Sequence, residues 1–261
     1  MKFISDRRLT WTNKKIDDDA NKVICATCAD AYFTIGYAGL AMIGSKTDNW
    51  LVDYLVGIKI NELQLISIAE KLKDEITRRI SLSRIDKINK GITFVFCGFK
   101  ENIPFILHIS NIENENTEPL SYVDDVFHVG AMYKRKDSKP EYTPMIDYHG
   151  TEPAMIQPIL TRINNLAREK CFHQNSDEVI AQELVDIIRE AAQTPRYGKY
   201  IGRNCMAVIV LPPGSEQSFK SIYFPDQASP EEFAPHLILG GSALKDIKIW
   251  TGSNPPPWWK S

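Results

Sequence analysis

The chain has 261 residues, 43% of them hydrophobic and 10% aromatic, with a formal net charge of −2. That is enough apolar material for one large domain with a buried core, and the near-neutral balance argues against a general nucleic-acid binder, which would carry a basic face. No apolar run approaches the length of a membrane span and the first residues contain no signal-like apolar core, so the sequence reads as a soluble, cytoplasmic protein without membrane partners.

Residues 2 to 5 read as the end of a strand, and the polar stretch from 6 to 21 as a turn or hairpin connection. Val23 to Cys28 and Tyr32 to Tyr37 read as two strands joined by a turn at Ala29-Asp30-Ala31. Gly36 and Gly39 bracket Tyr37-Ala38 and suggest a sharp bend or a close backbone approach. Thr47 and Asp48 are N-cap candidates for a helix carrying Trp50, Leu51, Tyr54, Leu55 and Ile58. Asn61 opens a second helix, whose buried stripe runs from Leu63 to Ile80.

The period then changes. Ile92 to Phe99 and Phe105 to Ile109, joined by the loop Lys100 to Pro104, form a hairpin pattern, and Val126 to Met132 is a further strand candidate. Residues 134 to 150 read as a long loop. Two helices follow, Met155 to Ala167 and a second one that Ser176-Asp177-Glu178 caps and Pro195 ends. Cys205 to Leu211 is a continuous apolar run expected as a central strand, with Phe219 to Phe224 as its partner. From about residue 226 onward the chain reads as an irregular tail ending Pro255-Pro256-Pro257-Trp258-Trp259, and Gly240-Gly241 as a turn within it. The tail fits a docking segment and a packed terminus equally. Blocks of strands alternating with helix pairs indicate a single α+β domain, a four-layer αββα sandwich in which helices cover two stacked antiparallel sheets.

Several short segments then resemble one family, in order and spacing. Ile4-Ser5-Asp6-Arg7-Arg8 resembles the second strand and following turn of proteasome β-subunits and related N-terminal-nucleophile hydrolases. Asn21-Lys22-Val23 resembles their next strand opening. Gly36-Tyr37-Ala38-Gly39-Leu40-Ala41 resembles the segment before their first helix, and Tyr200 to Val210 their helix–turn–strand near the end of the domain. The resemblance covers most of residues 3 to 224. It implies a peptidase or amidohydrolase in which the side chain of the first residue attacks an amide while a free amine takes its proton. It assigns Asp6 and Lys22 to the charged pair that activates this nucleophile, and Gly39, with Gly36 as the alternative, to the oxyanion-stabilising backbone. Peptide substrates and a homo-oligomer follow from the same resemblance, and no cofactor.

The resemblance also sets an expectation about the start of the chain. The nucleophile should stand roughly fifteen residues before Asp6, as a Thr, Ser or Cys on a first strand, and only five residues precede Asp6 here. Two explanations stay open: a start placed too far downstream, or a non-catalytic structural or assembly subunit. Read residue by residue, Asp6 also fits an ordinary turn carboxylate and Lys22 a solvated lysine at a strand start. The five cysteines are irregularly spaced, so Cys25-Ala26-Thr27-Cys28 reads as buried structural thiols and no metal site is expected. The five histidines are scattered, and His149 in its loop reads as a surface residue.

Overall fold

The computed structural model describes residues 1–11, 14–17, 20–83, 90–116, 118, 120–133, 161–162, 165, 176–195 and 198–251. The expected helix from Met155 to Ala167, His149 and the Trp258-Trp259 tail fall wholly or largely outside them. The fold is mixed α/β.

The chain opens with β1 (Lys2–Asp6), a hairpin of β2 (Leu9–Trp11) and β3 (Lys14–Asp17), then β4 (Val23–Thr27) and β5 (Ala31–Gly39). A small ribbon of β6 (Met42–Ile43) and β7 (Ser45–Lys46) leads into α1 (Thr47–Gly57) and α2 (Leu65–Leu82). Strands β8 (Ile92–Lys100), β9 (Ile103–Ser110) and β10 (His128–Tyr133) follow, then α3 (Ser176–Gln193). The rest is β-structure: β11 (Cys205–Val210), β12 (Phe219–Phe224), β13 (Glu231–Phe233), β14 (His236–Leu239), β15 (Ser242–Leu244) and β16 (Lys248–Trp250).

Two sheets organise these strands. The larger runs β10-β9-β8-β5-β4-β14-β15, antiparallel except where β14 lies parallel to β4. The smaller runs β1-β11-β12, antiparallel, with the apolar run Cys205–Val210 in the middle as expected of a central strand.

Alternation along the strands divides the interior in two. Ile24, Phe33, Ile35, Phe94, Phe96, Phe105 and Leu107 share one core with Leu51 and Leu55 of α1 and with Leu72 and Ile76 of α2. The α2 stripe of Leu65, Ile68, Ala69, Leu72, Ile76 and Ile80 follows the three-and-four spacing that keeps apolar side chains on one helical face. Val23 and Cys25 face the other way and pack with Met206 and Val208 of β11. With neighbours on both faces, β8 is buried at its first eight positions, which is why it is rich in β-branched and aromatic residues with no polar alternation. Helix α3 contacts β1 and β11.

Three of the differences from the sequence reading have an identifiable cause. The second helix begins at Leu65 rather than Asn61, because Asp30 reaches from the β4–β5 turn to accept the Leu65 N–H at 2.7 Å and so caps it from a distance. The β8–β9 connection is two residues, Glu101 and Asn102, both at positive φ as a tight hairpin turn requires, so β9 starts at Ile103. The segment from residue 226, expected to be an irregular tail, carries four short strands. β14 is ordered by the exposed edge of β4, a partner some 200 positions earlier that no local pattern announces. Gly240 and Gly241 form the turn there, at φ +56° and +82°.

Candidate functional site

Asp6 is the last residue of β1, paired with Cys205. Beyond it the chain turns, held by Arg7 N–H to Asn204 C=O at 2.9 Å, and the Arg7 carbonyl accepts the Ala20 N–H at 3.0 Å. That second bond lays residues 20 to 22 against the exit of β1. Lys22 therefore meets Asp6: its Nζ lies 3.1 Å from Oδ1 and 3.2 Å from Oδ2. Both side chains are mostly buried, at 12% and 21% exposure.

The carboxylate is held from further directions. Asp6 Oδ1 accepts the Arg8 N–H at 2.9 Å, a local turn bond, and the Gly202 N–H at 3.1 Å. A Cβ on Gly202 would stand 2.8 Å from Arg8 Cβ and 2.9 Å from its nitrogen, so only glycine lets this backbone approach Asp6. Behind the pair, Asn21 donates to Ala234 C=O at 2.8 Å, and buried Arg7 stacks over Phe233 at 4.4 Å and Tyr223 at 5.4 Å. Cation–π contact suits a guanidinium shielded from water.

The two glycines occupy different environments. Gly36 is buried opposite Val23, and a Cβ there would lie 2.2 Å from the Phe3 ring and 3.2 Å from the Lys22 carbonyl. Gly36 thus lets β1 and β5 close on each other. Gly39 is exposed at the end of β5, with φ +106° and its backbone pressed on Gly91. Continuing the β4–β5 register puts Lys22 opposite Tyr37, so Gly39 lies about 7 Å further along the strand, at the same end of the sheet.

Several described groups able to act as nucleophiles are otherwise engaged. Ser5 Oγ donates to the Asp6 carbonyl at 2.8 Å. Burial pushes the Cys205 thiol up to about 12, and also raises Cys25 and brings Cys28 to about 11. A thiol raised in this way is a poor nucleophile. The Met1 amine donates to Val210 C=O at 2.6 Å, and its burial lowers its pKa. It stands at the opposite end of β1 from Asp6, roughly 16 Å away along the strand.

Asp6 and Lys22 are thus brought together, and Gly39 is placed beside but beyond them. The roles of Arg8 and Gly202 as backbone donors were not expected. Gly202 stands within a segment singled out for its resemblance, but nothing in the sequence ties it to Asp6. Among the histidines, His108 contacts Asn114 C=O at 3.2 Å, His128 contacts Asp124 at 3.1 Å, and His236 is buried beside Asp48. Among the described residues, no three His, Cys, Asp or Glu side chains are grouped to hold a metal ion, and no helix is long and apolar enough to cross a membrane.

No protein-family model matches the chain, and no curated protein is similar to it in sequence. Among solved structures, it is similar to Anbu (ancestral beta-subunit) from Yersinia bercovieri, at 12% identity over 85% of this chain and 82% of that one, with a TM-score of 0.46.

Proposed function

We propose that this chain is a proteasome-type N-terminal-nucleophile hydrolase domain whose nucleophile-activating pair is Asp6 and Lys22, acting on the amide bonds of peptides. The observation that carries this reading is the two-pronged contact of Lys22 Nζ with the Asp6 carboxylate, at the end of two packed sheets. A four-layer αββα sandwich agrees with the order of contacts: α1 and α2 on one face of the larger sheet, the smaller sheet on its other face, and α3 beside β1 and β11.

In this proposal the Lys22 ammonium favours the deprotonated form of a hydroxyl or thiol brought beside it, and Asp6 fixes its position. The backbone N–H of Gly39, an exposed residue at the strand end, stabilises the tetrahedral oxyanion. The domain works as a homo-oligomer.

A second reading, a non-catalytic structural or assembly subunit of the same fold, is favoured by one feature. Asp6 Oδ1 already holds two backbone donors besides Lys22, so the trio also serves to pin the β1 exit.

A covalent threonine-directed probe, such as a peptide epoxyketone, separates the two. With a first-strand segment led by Thr placed ahead of Met1, intact-mass measurement should show one adduct per chain, and none when the same folded chain carries Lys22→Met. A folded extended chain that takes up no probe would leave the structural reading standing.

A further inference from the structure

Each member of the Asp6–Lys22 pair has a buried neighbour in the chain that is engaged elsewhere. Arg7 follows Asp6 and Asn21 precedes Lys22, and they are 1% and 5% exposed. Both side chains reach the same place. The Arg7 guanidinium lies over the Phe233 ring, 4.4 Å from its centre. Asn21 Nδ2 donates to the carbonyl of the next residue, Ala234, at 2.8 Å. Two segments far apart in sequence are thus hung on one step of the C-terminal β-structure.

That step is itself held from several sides. Phe233 pairs with Lys248 of β16, and the Ala234 N–H donates to Ile247 C=O at 3.0 Å. Tyr223 of β12 meets the Phe233 ring edge-on, with centres 5.3 Å apart, and its own ring lies 5.4 Å from the Arg7 guanidinium. Just beyond, His236 opens β14, which runs beside β4 from Ile24. A guanidinium out of water gains from an aromatic face, and a buried amide needs an acceptor. Phe233 and the Ala234 carbonyl supply these, so neither neighbour of the pair is free to drift while the step holds.

We propose that Phe233 is a positioning residue for Asp6 and Lys22, a role that rests on reading the two as the nucleophile-activating pair. Its ring holds Arg7, and its strand presents the Ala234 carbonyl to Asn21. One peptide link separates each anchor from its charged neighbour. A displaced ring therefore moves the backbone from which the Asp6 side chain starts. A pair that acts through its geometry is sensitive to such a displacement. The segment that the sequence offers as a tail thereby becomes the footing of the site.

Residue-resolved amide exchange followed by NMR tests this on the full chain. The Arg8 and Gly202 N–H groups donate to Asp6 Oδ1 and so report where that carboxylate sits. Phe233→Leu keeps an apolar side chain and removes the ring face. It should lower protection at both amides by about tenfold and leave the β8–β9 hairpin unchanged. Phe233→Tyr, which keeps a ring face, should retain protection. Arg7→Met, which leaves Phe233 in place, should reproduce the loss, and it decides the matter alone if Phe233→Leu does not fold. Unchanged protection at Arg8 and Gly202, or an equal loss in the β8–β9 hairpin, would overturn the positioning role. In the Thr-led chain, Phe233→Leu should also slow the limiting rate of probe labelling about tenfold, with the half-saturating probe concentration within about twofold. Amides that respond as expected in a chain whose Thr-led form takes up no probe would defeat the hydrolase reading and leave Phe233 as the residue that places the pair.

Discussion

The two faces of the β4–β5 hairpin look onto unlike interiors. On the helix side, Phe33, Ile35, Phe94 and Phe96 interlock with α1 and α2 in a continuous apolar core. On the other side, among the described residues, Val23, Cys25, Met206 and Val208 form the common cluster, and partly buried Phe3, Phe219, Phe233 and Leu237 flank it. Charge gathers at the end of this second side: Asp6, Lys22 and the ring-stacked Arg7. The lesson is a division of labour. The helix side holds a continuous apolar core, and the side facing the smaller sheet holds the polar pair on which the proposed chemistry rests.

The comparison is most severely tested in the helix-side core. Phe33 is fully buried, and Phe33→Ala should cost about 3–5 kcal/mol in urea unfolding, from lost burial and the cavity left behind. A cost near that of an exposed site would break the contrast. Next comes the contact between the two sides. Gly36→Ala should cost about 1–3 kcal/mol by driving a methyl into the Phe3 ring, and Phe3→Ala in the same chain should recover part of that loss. Additive effects in that double-mutant cycle would mean the sheets do not meet where Gly36 lets them.

Smaller effects sharpen the picture. Lys22→Met leaves a mostly buried carboxylate with its two backbone donors, and should cost about 1–2 kcal/mol at neutral pH. Loss of probe labelling when the Thr-led chain carries this change should far exceed the loss of stability if the pair is chemical as well as structural.

The smallest effect lies at the start of α2. Burial raises the Asp30 carboxyl, but the Leu65 N–H, the Cys28 thiol and Lys100 outweigh it and hold its pKa below the ordinary value. A depressed carboxyl stabilises the fold at neutral pH, and that stability disappears as pH falls through its folded-state value. Asp30→Asn should therefore lower stability by about 1 kcal/mol at pH 7 and flatten the acid side of the profile, read from thermal unfolding between pH 7 and 3.

How much of this was legible in the sequence depended on distance along the chain. The β8–β9 hairpin, α1 and most of α2 were readable because their periodicity is local, and β11 because a strand covered on both faces needs no polar alternation. The Asp6–Lys22 contact was expected only through resemblance, since neither residue by itself differs from an ordinary turn acid or strand-end lysine. Hidden altogether were features made by distant partners: Asp30 capping α2, Gly202 donating to Asp6, and the C-terminal strands seated beside β4. In each, one half of the interaction is unremarkable until the fold supplies the other.

Both sheets are closed by strands from opposite ends of the chain: β11 beside β1 and β14 beside β4. During synthesis the ribosome releases β1 and β4 long before either companion exists. β1 must wait until residue 210 has emerged and the outer edge of β4 until residue 239, and loops spanning so much of the chain close slowly. Mutations that weaken β11 or β14 should therefore slow folding of the whole domain more than equal losses within the local β8–β9 hairpin.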